Sequence, residues 1–122
     1  MMEQKRAWVY CRIDAPEDTN GSLKNQKKDL YDYAEQMGFF ISGSSQDIGN
    51  GLDMSEAGLV EVKQAVEQGR IDVLVIKRLD RLGRNKVMVS ELLRILENRN
   101  ITLYSPLEGH IALDTYKRHS YK

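Results

Sequence analysis

The run Asp72 to Ile76 (DVLVI) restricts the fold of this chain more than any other segment. Four aliphatic residues follow one another with nothing polar between them. A strand of that kind has to be covered on both faces, as the central strands of parallel sheets are. A parallel neighbour cannot be reached by a tight turn; it needs a crossover of a dozen or more residues, usually a helix. The flanking sequence supplies such crossovers. Ser55 to Gly69 sets Leu59, Val62, Ala65 and Val66 on one helical face, and Lys86 to Asn98 does so with Val89, Leu92, Leu93 and Leu96.

The rest of the chain keeps the same rhythm. Ala7 to Cys11 (AWVYC) reads as a buried strand. Ser22 is the expected N-cap of a helix carrying Leu23, Leu30, Tyr33, Ala34 and Met37, which Gly38 closes. Phe39 to Ile41 is a second strand, and Ile101 to Tyr104 a fourth that Pro106 ends. Asp14 to Gly21 (DAPEDTNG) and Ser42 to Met54 (SGSSQDIGNGLDM) read as polar loops. The alternation predicts an α/β fold of three layers, with a four-stranded, mainly parallel sheet flanked by helices. At 122 residues the chain fits one domain, expected over residues 1–115, followed by a basic tail over 116–122.

Composition narrows the function. Eighteen Lys and Arg balance eighteen Asp and Glu, so a polyanionic partner has to be met by local clustering. The single cysteine, Cys11, excludes an internal disulfide framework, suits a reducing compartment and reads as a buried, inert thiol. No apolar stretch approaches the roughly 20 residues that span a bilayer. The start, MMEQKRAWVYC, has no signal-peptide layout. A cytoplasmic protein without a membrane partner is therefore expected.

In open parallel sheets ligands bind beyond the carboxyl ends of the strands. The segments leaving those ends are Arg12–Gly21, Ser42–Met54, Lys77–Asn85 and Ser105 onward. Lys77 to Arg84 (KRLDRLGR) carries Lys77, Arg78, Arg81 and Arg84 with one carboxylate, Asp80, directly after the central strand. Arginine presents a planar fork that matches two phosphate oxygens and stays charged at any working pH. Taken alone, such a run reads as a solvated basic turn. Arg12, leaving the neighbouring strand at the same sheet end, favours a shared phosphodiester grip instead.

YCRID at Tyr10–Asp14, SLKNQ at Ser22–Gln26, DIGNG at Asp47–Gly51 and DVLVIKRLDRLGRN at Asp72–Asn85 resemble the catalytic domain of serine site-specific recombinases, the resolvase/invertase family. The likeness runs from about Trp8 to Leu113 in order and spacing, and the last block is the most specific. It implies a serine hydroxyl that attacks a DNA phosphodiester and forms a phosphoseryl bond, with no metal or cofactor. Arginines then stabilise the pentacovalent transition state. It also implies roles at this site: Arg12, Arg81 and Arg84 hold phosphate, Asp80 is the acid, Gln26 the glutamine, and Tyr10 and Asp47 shape the pocket.

Three positions depart from that pattern. The nucleophile position is Asp14, which has no hydroxyl and repels phosphate; a second serine position is Asn50, and an arginine position is Glu56. Together they argue for abandoned chemistry. Ser22 reads as a helix cap rather than a substitute nucleophile, and Ser44 and Ser45 as loop residues without a base. His110 and His119 are too isolated for a metal site, and Mg²⁺ held by Asp14, Asp47 and Asp80 is unnecessary beside the arginines. The family's long dimer helix and DNA-binding domain are expected to be missing. The tail, with Lys117, Arg118 and Lys122, reads as a solvated terminus.

The leading expectation is a catalytically impaired recombinase domain that binds DNA weakly, and itself or a full-length relative. The alternatives are an active strand transferase whose nucleophile is unrecognised or was changed to Asp14, and a non-enzymatic remnant that binds DNA or a partner. A receiver-like phosphoacceptor is disfavoured because its acid belongs after the central strand, where Lys77 and Arg78 stand.

Overall fold

Seven of the eight residues of β1 (Arg6–Ile13) are buried, which places this strand inside a sheet with helices on both sides. The computed structural model describes residues 4–13, 21–49, 57–82 and 86–112. After β1 come α1 (Ser22–Gln36), β2 (Phe40–Ile48), α2 (Ala57–Glu67) and β3 (Val73–Val75). A 3₁₀ turn (Leu79–Leu82), α3 (Lys86–Asn98), β4 (Thr102–Ser105) and β5 (Gly109–Ile111) complete the order. The sheet runs β2-β1-β3-β4-β5, with every neighbouring pair parallel except β4 and β5.

Handedness explains the layers. A right-handed crossover from β1 out to β2 puts α1 on one face; the crossovers running the other way, β2 to β3 and β3 to β4, put α2 and α3 on the opposite face. The core divides accordingly. Ala7, Val9, Cys11, Val73 and Val75 pack with Leu23 and Leu30 of α1. Trp8, Tyr10, Leu74 and Ile76 pack with Leu59 and Val62 of α2 and Val89, Leu92 and Leu96 of α3. No described helix is long and apolar enough to cross a membrane.

The expected α/β architecture is present, with four differences. The first strand does not end at Cys11 but runs on through Arg12 to Ile13, because β2 pairs with it that far. A fifth strand, β5, turns back antiparallel against β4; its three residues are too few to show a pattern in the sequence. Ser42 to Ile48 is strand rather than loop. It pairs with β1 from Trp8↔Gly43 to Ile13↔Ile48, and as an outer strand it tolerates polar residues on its solvent side. Ser22 does not cap α1 but is its first residue. The cap position is Gly21, at φ 69° without a side-chain hydrogen bond, and its carbonyl accepts the amide of Asn25 at 2.9 Å.

At the opposite end of the sheet Arg6 ties β1 to the start of β3. Its amide and Nε donate to Oδ2 of Asp72 at 2.8 and 3.0 Å, and Nη2 donates to Oδ1 at 3.1 Å. The Arg6 guanidinium and amide hold the Asp72 carboxyl below its usual range. A lowered folded pKa contributes stability that is present above the unfolded value of about 3.9 and lost as pH falls through the folded one. The pair is partly exposed, which limits it to about 1 kcal/mol. Asp72→Asn should therefore lower the urea midpoint at pH 7 and not at pH 2. An equal loss at both would exclude the ion pair as the cause.

Candidate functional site

The order β2-β1-β3 reverses direction between β1 and β3, and crevices at such points are where open α/β sheets bind ligands. Pairing between these strands ends at Val9↔Val75, so beyond it β1 continues alone on that side. Gln26 of α1 fills the gap. Its Oε1 accepts the Arg12 amide at 3.1 Å, and its Nε2 donates to the Arg12 carbonyl at 3.3 Å. One side-chain amide thus replaces the missing strand and sets the backbone of Arg12.

Strand alternation then aims the Arg12 side chain. Trp8 and Tyr10 point to the face of α2 and α3, and Arg12, two residues on, points the same way. Arg12 is only 2% exposed, and its Nε donates to the carbonyl of Arg81 at 2.9 Å. Arg81 lies in the 3₁₀ turn after β3, whose far end is anchored by buried Leu82. The Nε of Arg81 is buried and has no hydrogen-bond partner among the described residues. An orphaned buried donor costs about 1–3 kcal/mol, which an incoming anion would recover. Lys77 and Arg78 sit on the same segment, half-buried and exposed respectively. Arg12, Lys77, Arg78 and Arg81 therefore share one sheet end.

Tyr10 and Asp47 act next to this cluster rather than in it. Asp47 is buried; Oδ1 accepts the amide of Gly58 at 2.7 Å, while Oδ2 accepts the amide of Leu59 at 2.9 Å and the Tyr10 hydroxyl at 2.8 Å. Both oxygens are committed to the first turn of α2 and to Tyr10, which leaves them ill-placed to hold a cation. Gly58 makes this approach possible, since a Cβ there would meet the carbonyl oxygen of Gln46 at 2.5 Å.

Other sequence candidates have structural duties. Ser45 is buried on β2, accepting the Trp8 indole N–H at 3.0 Å and donating to the Gly58 carbonyl at 2.7 Å. Ser44, also on the strand and not in a loop, bonds the Tyr31 hydroxyl at 2.9 Å. Burial pushes the Cys11 thiol up to about 12, so it stays protonated and inert. Among the described residues no three His, Cys, Asp or Glu gather as metal ligands. Asp14, Asn50, Glu56, Arg84, His119 and the tail lysines and arginine lie outside the described residues, as does the side chain of Asp80.

Residues 7–120 match the resolvase N-terminal domain family. This chain belongs to that family.

Among curated proteins the domain is 29% identical over 112 residues to the Transposon Tn2501 resolvase of Escherichia coli, covering 88% of this chain and 53% of the relative. It thus spans about half the length of that resolvase. Three solved structures share the fold. The N-terminal catalytic domain of TP901-1 integrase superposes with a TM-score of 0.81 at 23% identity, over 96% of this chain and 95% of that one. A resolvase family site-specific recombinase from Streptococcus pneumoniae gives 0.79 at 18%, over 97% and 87%. The C-terminal catalytic domain of ISC1926 TnpA, an IS607-like serine recombinase, gives 0.76 at 22%, over 95% and 77%. The chain is accordingly a resolvase N-terminal domain by family, and its fold is the one found in serine recombinase catalytic domains.

Proposed function

We propose that this resolvase-family domain grips a phosphodiester of DNA without cutting it. Arg12 and Arg81 would hold the phosphate, with Lys77, Arg78 and Arg84 contributing charge around it. The observation that carries this reading is the pairing of two arginines from different strand ends, one buried and docked on the other's carbonyl, beside an Nε that has no partner among the described residues. Fixed guanidinium donors suit a phosphate because they need no rearrangement when it arrives. Asp14 stands where the family's nucleophile would, and a carboxylate there both lacks the attacking hydroxyl and opposes the phosphate charge. Asp80 would orient a guanidinium of the same turn. DNA is the proposed partner, together with a second copy or a full-length recombinase, in the cytoplasm.

Incubation with supercoiled plasmid and with a short duplex tests both halves of the proposal. Denaturing gels and mass spectrometry are expected to find no covalent adduct. Duplex binding is expected to weaken steeply with salt. Four neutralised phosphates correspond to a fall of roughly a hundredfold between about 50 and 200 mM. A reproducible adduct at any serine would overturn the non-cutting reading, and salt-independent binding would overturn the phosphate grip.

A further inference from the structure

Ser105, at the end of β4, is fully buried, and the phosphate grip described above makes no use of it. Its hydroxyl donates to the carbonyl of Lys77 at 2.6 Å and accepts the amides of Leu107 at 3.1 Å and Glu108 at 3.2 Å. One proton and two lone pairs are thereby all engaged. Two residues past Pro106, Oε1 of Glu108 accepts the amide of Leu79 at 3.2 Å. The turn between β4 and β5 therefore holds the basic segment at two points. One is the carbonyl that leaves β3, and the other is the first amide of the 3₁₀ turn.

Such support matters because a single 3₁₀ turn has poor hydrogen-bond geometry and little stability of its own. Within it the amide of Arg81 reaches the carbonyl of Arg78 at 3.0 Å, and Leu82 packs into the core beyond. Arg78 lies between the two clamped points, Lys77 carries the first of them, and Arg81 stands two residues beyond the second. The carbonyl of Arg81 is also the acceptor for Arg12 Nε, so a shift of the turn moves both arginines.

We infer that Ser105 and Glu108 are positioning residues for the phosphate grip, setting Arg78 and Arg81 through the backbone of Lys77 and Leu79. The inference rests on the proposed function for its consequence in DNA binding, and on geometry alone for the clamp. Ser105→Ala and Glu108→Ala test it, with Glu108→Gln retaining the acceptor. Amide hydrogen exchange at Leu79 and Arg81 should quicken about tenfold in the alanine variants, with α1 and α3 unchanged. The slope of log affinity against log salt for a short duplex should become shallower by about 1. Glu108→Gln should restore what Glu108→Ala loses. A general loss of folding would lower the bound fraction with the slope unchanged, and that result overturns the positioning role. Unchanged exchange at Leu79 and Arg81 overturns the clamp. If the unmodified domain shows no salt-sensitive binding, the phosphate reading fails, and the exchange rates alone decide the clamp.

Discussion

Asp47→Ala is expected to destabilise the domain by about 3 kcal/mol and to lower its melting temperature by about 10 °C. The carboxylate caps α2 through the amides of Gly58 and Leu59 and accepts the buried Tyr10 hydroxyl. Loss of a helix cap costs about 1–2 kcal/mol. The remainder comes from a buried hydroxyl and amides left without a partner, each about 1 kcal/mol or more where water cannot reach. Tyr10→Phe is the natural comparison, because it removes one donor and leaves the cap in place; it should cost about 1 kcal/mol. Urea and thermal unfolding of the two variants measure the difference. If Asp47→Ala costs no more than Tyr10→Phe, the capping role is wrong and Asp47 becomes available for another duty at the site.

Asp14→Ser combined with Glu56→Arg is expected to produce a covalent protein–DNA adduct where the unmodified chain forms none. The first change supplies a hydroxyl whose oxygen can bond to phosphorus while a deoxyribose oxygen departs and takes up a proton. On the proposed reading it also removes a negative charge that would oppose the scissile phosphate. The second change reverses a charge at a position where the family resemblance implies an arginine. Deleting the nucleophile of an enzyme that works through a covalent intermediate lowers the rate by about 10⁶, and a transition-state donor contributes about 10² to 10³. The serine should therefore account for most of the gain, and Asp14→Ser alone should show a fainter adduct than the pair. Mass spectrometry of the linked peptide, expected at residue 14, together with nicking of supercoiled plasmid, is the measurement. Should the double variant bind duplex as the unmodified chain does and still form no adduct, chemistry was not lost at these two positions.

The helices, the central strand and the end of the sheet that carries the site were legible in the sequence for a local reason. Leu59, Val62 and Val66, or Val89, Leu92, Leu93 and Leu96, recur at the helical period, and DVLVI admits little but a strand covered on both faces. Once βαβ connectivity is inferred, handedness and the crevice rule bring Arg12 and the segment after β3 to one place. The first strand, however, runs further than its apolar residues indicate. Arg12 belongs to it, and the pleat is what buries its guanidinium.

What tertiary structure alone decided depends on partners distant in sequence. Ser42 to Ile48 looks like a loop because its residues are polar. It is a strand because β1 pairs with it, and because Trp8 and the amides of α2 satisfy Ser45 and Asp47. The family likeness singles out Gln26, yet its hold on the Arg12 backbone needs α1 folded onto the end of β1. Ser105 and Glu108 carry no sequence signal at all, since a serine before a proline and an exposed glutamate are ordinary turn residues. Apolar periodicity is written into each segment by itself. A buried hydroxyl or carboxylate acquires its role only from the group placed opposite it, and that group is chosen by the fold.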